Sequence, residues 1–83
     1  MKISIRYFAS IREALGQSAE AVDTQAATLG ALRDQLIARG GAHAQALARG
    51  KAVRMALDQV MADESAALRD GAEVAFFPPV TGG

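Results

Sequence analysis

The sequence predicts a mixed α+β fold: strand, short helix, strand, long helix, then short strands, with one helix laid over one face of a sheet. Three observations carry that reading. Ile3, Ile5 and Tyr7 alternate with Lys2, Ser4 and Arg6, the period of a half-buried strand. Leu29, Leu32, Leu36 and Ile37 recur along one face of a helix. Glu73-Val74-Ala75-Phe76-Phe77 is a last alternating run, and Pro78 and Pro79 end it because neither has an N–H to give to a ladder. With 83 residues there is room for one domain and one modest core, and little spare structure to wall off a deep active site.

After the first strand, Phe8, Ile11 and Leu15 recur at helical spacing and Gly16 supplies a stop, which predicts a short helix over Ala9 to Leu15. A weak alternating run over Ala19 to Val22 reads as a second strand. Thr28 suits the N-cap of the longest helix, Leu29 to about Arg39, which turns Arg33, Asp34 and Arg39 to water and stops at Gly40-Gly41. Ala42 to Gly50 is small and bland and reads as connection, with room for a helical turn through Ala44, Leu47 and Ala48.

Val53, Met55 and Leu57 alternate with Arg54, Ala56 and Asp58 as a third strand. Asp58-Gln59 suits a tight turn, and Val60 to Ala62 returns as a short strand. Asp63 to Arg69 is a loop that drops Leu68 into the core, and Asp70-Gly71 turns the chain into the final strand. There Val74 and Phe76 face inward, while Ala75 and Phe77 face the side no helix covers. Val60 and Met61 are adjacent, so at least one also faces out. An exposed Phe and Met close together make a patch, and patches of this kind mark partners.

Charge and composition exclude several functions. The net charge is zero and the nine Lys and Arg residues are scattered, so no basic stripe offers itself to nucleic acid. With no cysteine there is no thiolate metal site and no thiol nucleophile. No apolar run is long enough to span a bilayer, so no membrane partner is expected and the cytoplasm is the expected compartment. His43, amid alanines, reads as a solvated surface histidine, and Tyr7 as a core residue with its hydroxyl satisfied. Asp63 and Glu64 are adjacent and diverge, as solvated loop charges do. Nothing here assembles a self-contained active site.

That leaves the tail. The division expected is a domain over residues 1–77 and an extended arm over 78–83, reaching about 20 Å at ~3.3 Å per residue. Gly82 and Gly83 carry no Cβ to shield the terminal carboxylate, so a narrow channel can admit it. That carboxylate, ionised at neutral pH with a reference pKa of about 3.3–3.7, is the expected working group. A carboxylate is a poor electrophile and needs activation before any exchange at its carbon.

Asp70-Gly71 followed by Glu73-Val74-Ala75-Phe76-Phe77-Pro78-Pro79-Val80-Thr81-Gly82-Gly83 resembles the C-terminus of the small, sulfur-carrying subunits of molybdopterin synthase. Tyr7-Phe8-Ala9, Ile11-Arg12-Glu13, Leu15-Gly16, Thr28-Leu29 and Leu32-Arg33 extend the likeness over essentially the whole chain. A bare Gly-Gly end is common to ubiquitin-like proteins, whereas Phe-Phe-Pro-Pro-Val-Thr-Gly-Gly is far more specific. The turn at Asp58 departs from the family, which usually has Asn there; both residues form turns.

The resemblance implies a ubiquitin-like β-grasp fold and a sulfur-donating subunit without catalytic groups of its own. An ATP-dependent, E1-like adenylating enzyme would activate Gly83, and sulfide delivered from a persulfide would convert it to a thiocarboxylate. The arm would then enter the large catalytic subunit of a heterotetrameric synthase. There its sulfur attacks the cyclic pyranopterin precursor, two deliveries building the dithiolene, with acid–base groups from the partner. No cofactor is expected on this chain; ATP is consumed by the activating enzyme. The residues expected to meet the partners are Gly82, Thr81, Val80, Pro79 and Pro78 of the arm, Phe77 and Met61 of the patch, and Arg12 in the family-like Arg-Glu pair. Two other classes stay open: a sulfur carrier for thiamine or for transfer-RNA thiolation, and a ubiquitin-like modifier ending as an isopeptide on target lysines. A carrier predicts a free thiocarboxylate and a modifier predicts amide adducts; the stiff Phe-Phe-Pro-Pro arm favours the molybdopterin carrier.

Overall fold

The N-terminal alternation builds β1 (Lys2–Tyr7), with Ile3, Ile5 and Tyr7 buried and the residues between them exposed. The structure, a computed structural model, describes residues 1–79. The chain continues through α1 (Ala9–Leu15), β2 (Ala19–Asp23), α2 (Leu29–Ile37), α3 (Gly41–Leu47), β3 (Arg54–Leu57), β4 (Val60–Ala62) and β5 (Glu73–Phe77). The five strands form one sheet in the order β2-β1-β5-β3-β4. β5 lies parallel to β1 at its centre, and the other pairings are antiparallel.

Local chemistry sets the ends of these elements. Gly16, at φ 71°, closes α1 by donating its N–H to the Arg12 carbonyl at 2.9 Å. The Thr28 hydroxyl accepts from the Ala31 N–H at 3.2 Å and starts α2. Asp58 and Gln59, both at positive φ, make the β3–β4 turn, and the Asp58 carboxylate accepts from the Glu73 N–H at 2.9 Å. Asp70 accepts from the Lys2 N–H at 2.7 Å, tying the turn before β5 to the start of β1.

All three helices lie on one face of the sheet. Ile3, Ile5, Tyr7, Met55, Val74 and Phe76 meet Ile11, Leu29, Leu32, Leu36 and Leu47 there, with Leu68 supplied by the loop as expected. Fully burying an aliphatic or aromatic side chain stabilises by about 1.5–3 kcal/mol, so this single layer is the main source of stability.

Four expectations are corrected. The bland segment after Gly41 is a helix, α3: alanine favours helix, and Ala46 and Leu47 are buried where the periodicity is too sparse to announce them. The helix α2 ends at Ile37, before Arg39. Phe8 does not join the buried stripe of α1; it is the N-cap, 44% exposed. Arg33 does not face water but is 4% exposed. Its guanidinium donates to the carbonyls of Leu47 at 2.8 Å and Ala48 at 2.7 Å, at the end of α3, and of Lys51 at 3.2 Å, in the connection that follows.

Candidate functional site

The sheet face without helices carries the candidate site. The ladder register sets Arg6 beside Ala75, Ala75 beside Ala56, and Ala56 beside Met61, a row that crosses four strands. The two alanines give this row a low floor. Phe8, Met61 and Phe77 stand around it, and together they line a groove of about 570 Å³. Met61 is 57% exposed and Val60, next to it on the edge strand, 67%. At one rim Arg6 pairs with Glu73 at 3.3 Å, a solvent-facing contact that orients more than it stabilises.

Strand parity explains the groove. Val74 and Phe76 point into the core with no exposure, so Phe77 must point the other way. The same parity in β1 buries Tyr7 and turns Phe8 outward. The Phe8 N–H donates to the Phe76 carbonyl at 3.1 Å, which holds Phe8, just past the end of β1, beside β5 and its outward Phe77. The sequence groups Phe8 with Ile11 and Leu15 by helical spacing, although the alternation through Ile3, Ile5 and Tyr7 contained the signal for its outward direction.

β5 ends at Phe77, and Pro78 and Pro79 follow, both half-buried. Pro78 forms one wall of a small cavity on the helix side, opposite Ile11 and Ala14 of α1. Val80, Thr81, Gly82 and Gly83 lie outside the described residues. Arg12 is exposed on α1 and lines neither the outer groove nor the cavity beside Pro78. Thus Phe77 and Met61 come together as expected, Phe8 joins them, and Arg12 does not. A larger open groove of about 790 Å³ lies beside β4, lined by Met55, Asp63 and Glu64 among others; among the described residues, neither Pro78 nor Pro79 borders it.

Beneath the sheet, Glu20 collects four donors: the Tyr7 hydroxyl at 2.7 Å, Gln17 at 3.0 Å, His43 Nε2 at 3.0 Å and Arg39 at 2.7 Å. His43 is therefore not a solvated histidine. Its Nε2 also lies 3.3 Å from Arg39, but a nitrogen donating to the carboxylate cannot accept from the guanidinium. Burial alone would raise the Glu20 carboxyl, yet the bonds from His43, Arg39 and Tyr7 outweigh it and bring the pKa down to about 2. Burial, and then the bond to Glu20, push the Tyr7 phenol up. The Tyr7 hydroxyl is satisfied, as expected.

Asp63 is an exposed loop acid, held below the ordinary carboxylate range by its bonds to Ser65. Glu64 departs from the expectation of a solvated charge, since it pairs with Arg33 at 3.6 Å and with Arg49. Among the described residues no group of three or more His, Asp or Glu side chains is placed to hold a metal ion, and no helix is long and apolar enough to cross a membrane. These polar clusters bind elements of the fold together, whereas the outer groove offers apolar side chains at the end of β5, where Pro78 and Pro79 begin.

Comparison with known proteins agrees with that geometry. The ThiS family matches residues 5–83. The molybdopterin synthase sulfur carrier subunit of Escherichia coli is 42% identical over 81 residues, covering 98% of this chain and 99% of its own. Among solved structures, SAMP1 of Haloferax volcanii, a small archaeal modifier protein, superposes with a TM-score of 0.78 at 29% identity, and each chain is covered in full. A complex of subunits 1 and 2 of the molybdopterin-converting factor from Helicobacter pylori contains a chain matching at a TM-score of 0.68 and 25% identity, again over all of both chains. The architecture shared with these ubiquitin-like neighbours is the mixed five-stranded sheet with helices on one side.

Proposed function

This chain belongs to the ThiS family, and from that premise we propose that it is the sulfur carrier subunit of a molybdopterin synthase. The observation that carries the reading is 42% identity, over 98% of the chain, to the Escherichia coli subunit of that name. Phe-Phe-Pro-Pro-Val-Thr-Gly-Gly at the C-terminus supplies the chemical reason. In this reading the Gly83 carboxylate attacks the α-phosphorus of ATP on an adenylating enzyme and expels pyrophosphate. The terminal sulfur of a persulfide then attacks the acyl adenylate and displaces AMP, and a thiol reductant cleaves the resulting acyl disulfide, itself ending as a disulfide and leaving the thiocarboxylate. Its sulfur is the nucleophile that attacks the pterin precursor within the large subunit. The adenylating enzyme and the use of ATP belong to the proposal, as does the division into a domain over 1–77 and an arm over 78–83.

The docking surface in this reading is the outer groove. Phe8, Met61 and Phe77 offer apolar side chains at the base of the arm, so one partner can cover the groove and receive the arm together. The Helicobacter pylori complex of the two converting-factor subunits supports a large catalytic subunit as that partner. A second reading, a protein modifier, is favoured by the likeness to SAMP1. Intact mass spectrometry of the protein from its host separates the two. A species heavier by one sulfur-for-oxygen exchange identifies the carrier, whereas amide adducts on lysines without any such species would displace it.

A further inference from the structure

We propose that Arg54 is a specificity-determining residue of the docking surface: beside Phe77, it receives a carboxylate of the large subunit. This rests on the carrier reading and adds to it the charge that the partner must present. Arg54 is the first residue of β3 and is exposed. Met55, next to it, is turned into the core with 4% exposure, so strand parity sends Arg54 to the outer face with Ala56. The ladder register makes Arg54 the direct partner of Phe77, as Ala56 is of Ala75. Directly opposed residues of an antiparallel pair hold their side chains on one face, with Cβ atoms about 4.5–5.5 Å apart. A partner that covers Phe77 therefore also covers the stem of Arg54 and meets its guanidinium.

Arg54 differs from the other arginines around it in being left unneutralised by its own domain. Arg6, the other arginine of this face, is paired with Glu73 at 3.3 Å. Arg33 and Arg49 share Glu64, Arg49 also holds Asp34, and Arg39 holds Glu20. Among the described residues Arg54 makes no ion pair and no side-chain hydrogen bond. The acids around the two grooves are committed as well. Asp58 accepts from the Glu73 N–H at 2.9 Å, Asp63 accepts from the Ser65 N–H at 2.9 Å, and Glu64 is held by its two arginines. Asp63 and Glu64 line the open groove beside β4 together with Arg54, yet each is bonded elsewhere.

That imbalance states what the partner must bring. An apolar surface laid over the guanidinium would strip its water and return nothing, and a cation would repel it. A carboxylate matches its planar fork with charge-assisted bonds. At the rim of an interface such a pair governs the rate of encounter and the rejection of wrong partners more than the final affinity. The groove thus divides its tasks: Phe8, Met61 and Phe77 supply apolar contact, and Arg54 selects by charge.

Stopped-flow association of the full-length chain with the large subunit, at about 0.1 M and about 1 M salt, tests this. Arg54→Glu should lower the association rate about tenfold at the lower salt and approach wild type at the higher, where charges are screened. Arg54→Lys, which keeps the charge, should restore most of the rate. Phe77→Ala should instead speed dissociation at both salt concentrations. Both Arg54 variants should melt with wild type, because the side chain lies outside the core. A wild-type association rate for Arg54→Glu at low salt would overturn the proposal. So would a loss that persists at about 1 M salt, which is packing and not charge, or early melting, which assigns Arg54 to the fold. If Phe77→Ala weakens the complex and Arg54→Glu does not, the charge assignment alone falls. If Phe77→Ala also binds like wild type, or wild type does not bind, the docking reading falls and this proposal with it.

Discussion

The Tyr7 hydroxyl donates to Glu20 Oε2 at 2.7 Å from a ring that lies 6.2 Å from Phe76 and nearly parallel to it. Glu20, on β2, is thereby joined through Tyr7 to the residue that immediately precedes Phe77 and the arm. His43 and Arg39 close on the same carboxylate from the helix side, so one anion ties the sheet to α3 and the end of α2.

An acid-stability prediction follows from the sign of the Glu20 shift. Its folded-state pKa, about 2, lies below the ordinary 4.5, so its contribution is present in full above about pH 4.5 and is lost as pH falls toward 2. The linkage is worth at most about 3–4 kcal/mol, at about 1.36 kcal/mol per pKa unit. Glu20→Gln should be less stable at neutral pH and should show a flatter loss between pH 4.5 and 2. Denaturant melts of both proteins across that window measure the difference, and parallel curves would remove Glu20 as the cause. Asp63 titrates at low pH in both, so it cancels in the comparison.

The β3–β4 turn stores removable strain. Gln59 sits at φ 69°, where a side chain costs roughly 1–2 kcal/mol and glycine costs little. Gln59→Gly should stabilise by about 1 kcal/mol, less the extra freedom glycine gains when unfolded, and should raise Tm by a few degrees. Asp58, also at positive φ, holds the Glu73 N–H, so Asp58→Ala should instead cost about 1 kcal/mol. Calorimetric melts decide both signs.

Much of this fold was legible because its core follows simple periods. Alternation gave β1 and β5, the Thr28 cap and leucine spacing gave α2, and turn residues gave the return into β4. What was not legible depended on tertiary partners. Arg33 reads as a solvated charge until the carbonyls at the end of α3 come into reach, and His43 does so until Glu20 does. The helix α3 buries only Ala46 and Leu47, too few residues for a period. Phe8 is a different case, since two periods competed for it: helical spacing pointed inward, strand parity pointed outward, and the strand prevailed. At the site, Phe77 followed from parity, which left Val60 and Met61 open until the β3–β4 register set Met61 in the groove, and nothing local tells that Arg12 stands apart from them.

A length prediction tests the chemistry of the tail. Deleting Gly83, or adding one residue after it, should abolish thiocarboxylate formation and sulfur delivery, because a channel reads the carboxylate at one depth and a displacement of about 1 Å can cost 100-fold. Thermal melting should change little. Sulfur transfer by the truncated protein at the wild-type rate would contradict a terminal donor.

The faces of β5 allow a paired test of the docking surface. Phe77 is half-buried and borders the groove with Phe8 and Met61, while Phe76, one residue earlier, has no exposure at all. An aspartate at 77 leaves the core intact but must be desolvated wherever a partner covers the groove. Phe77→Asp should therefore remain folded and weaken the complex with the large subunit by about tenfold or more, with about 1.4 kcal/mol for each decade. Phe8→Asp should act in the same direction from the β1–α1 junction. Phe76→Asp buries an unpaired carboxylate among Tyr7 and Val74 and should unfold the domain, since such changes cost several kcal/mol in a protein of this size. Calorimetric titration against the large subunit, with circular dichroism melts as the control, reads all three. Early melting of Phe77→Asp would show that its side chain supports the core, and wild-type affinity would show that the groove is not where the partner sits.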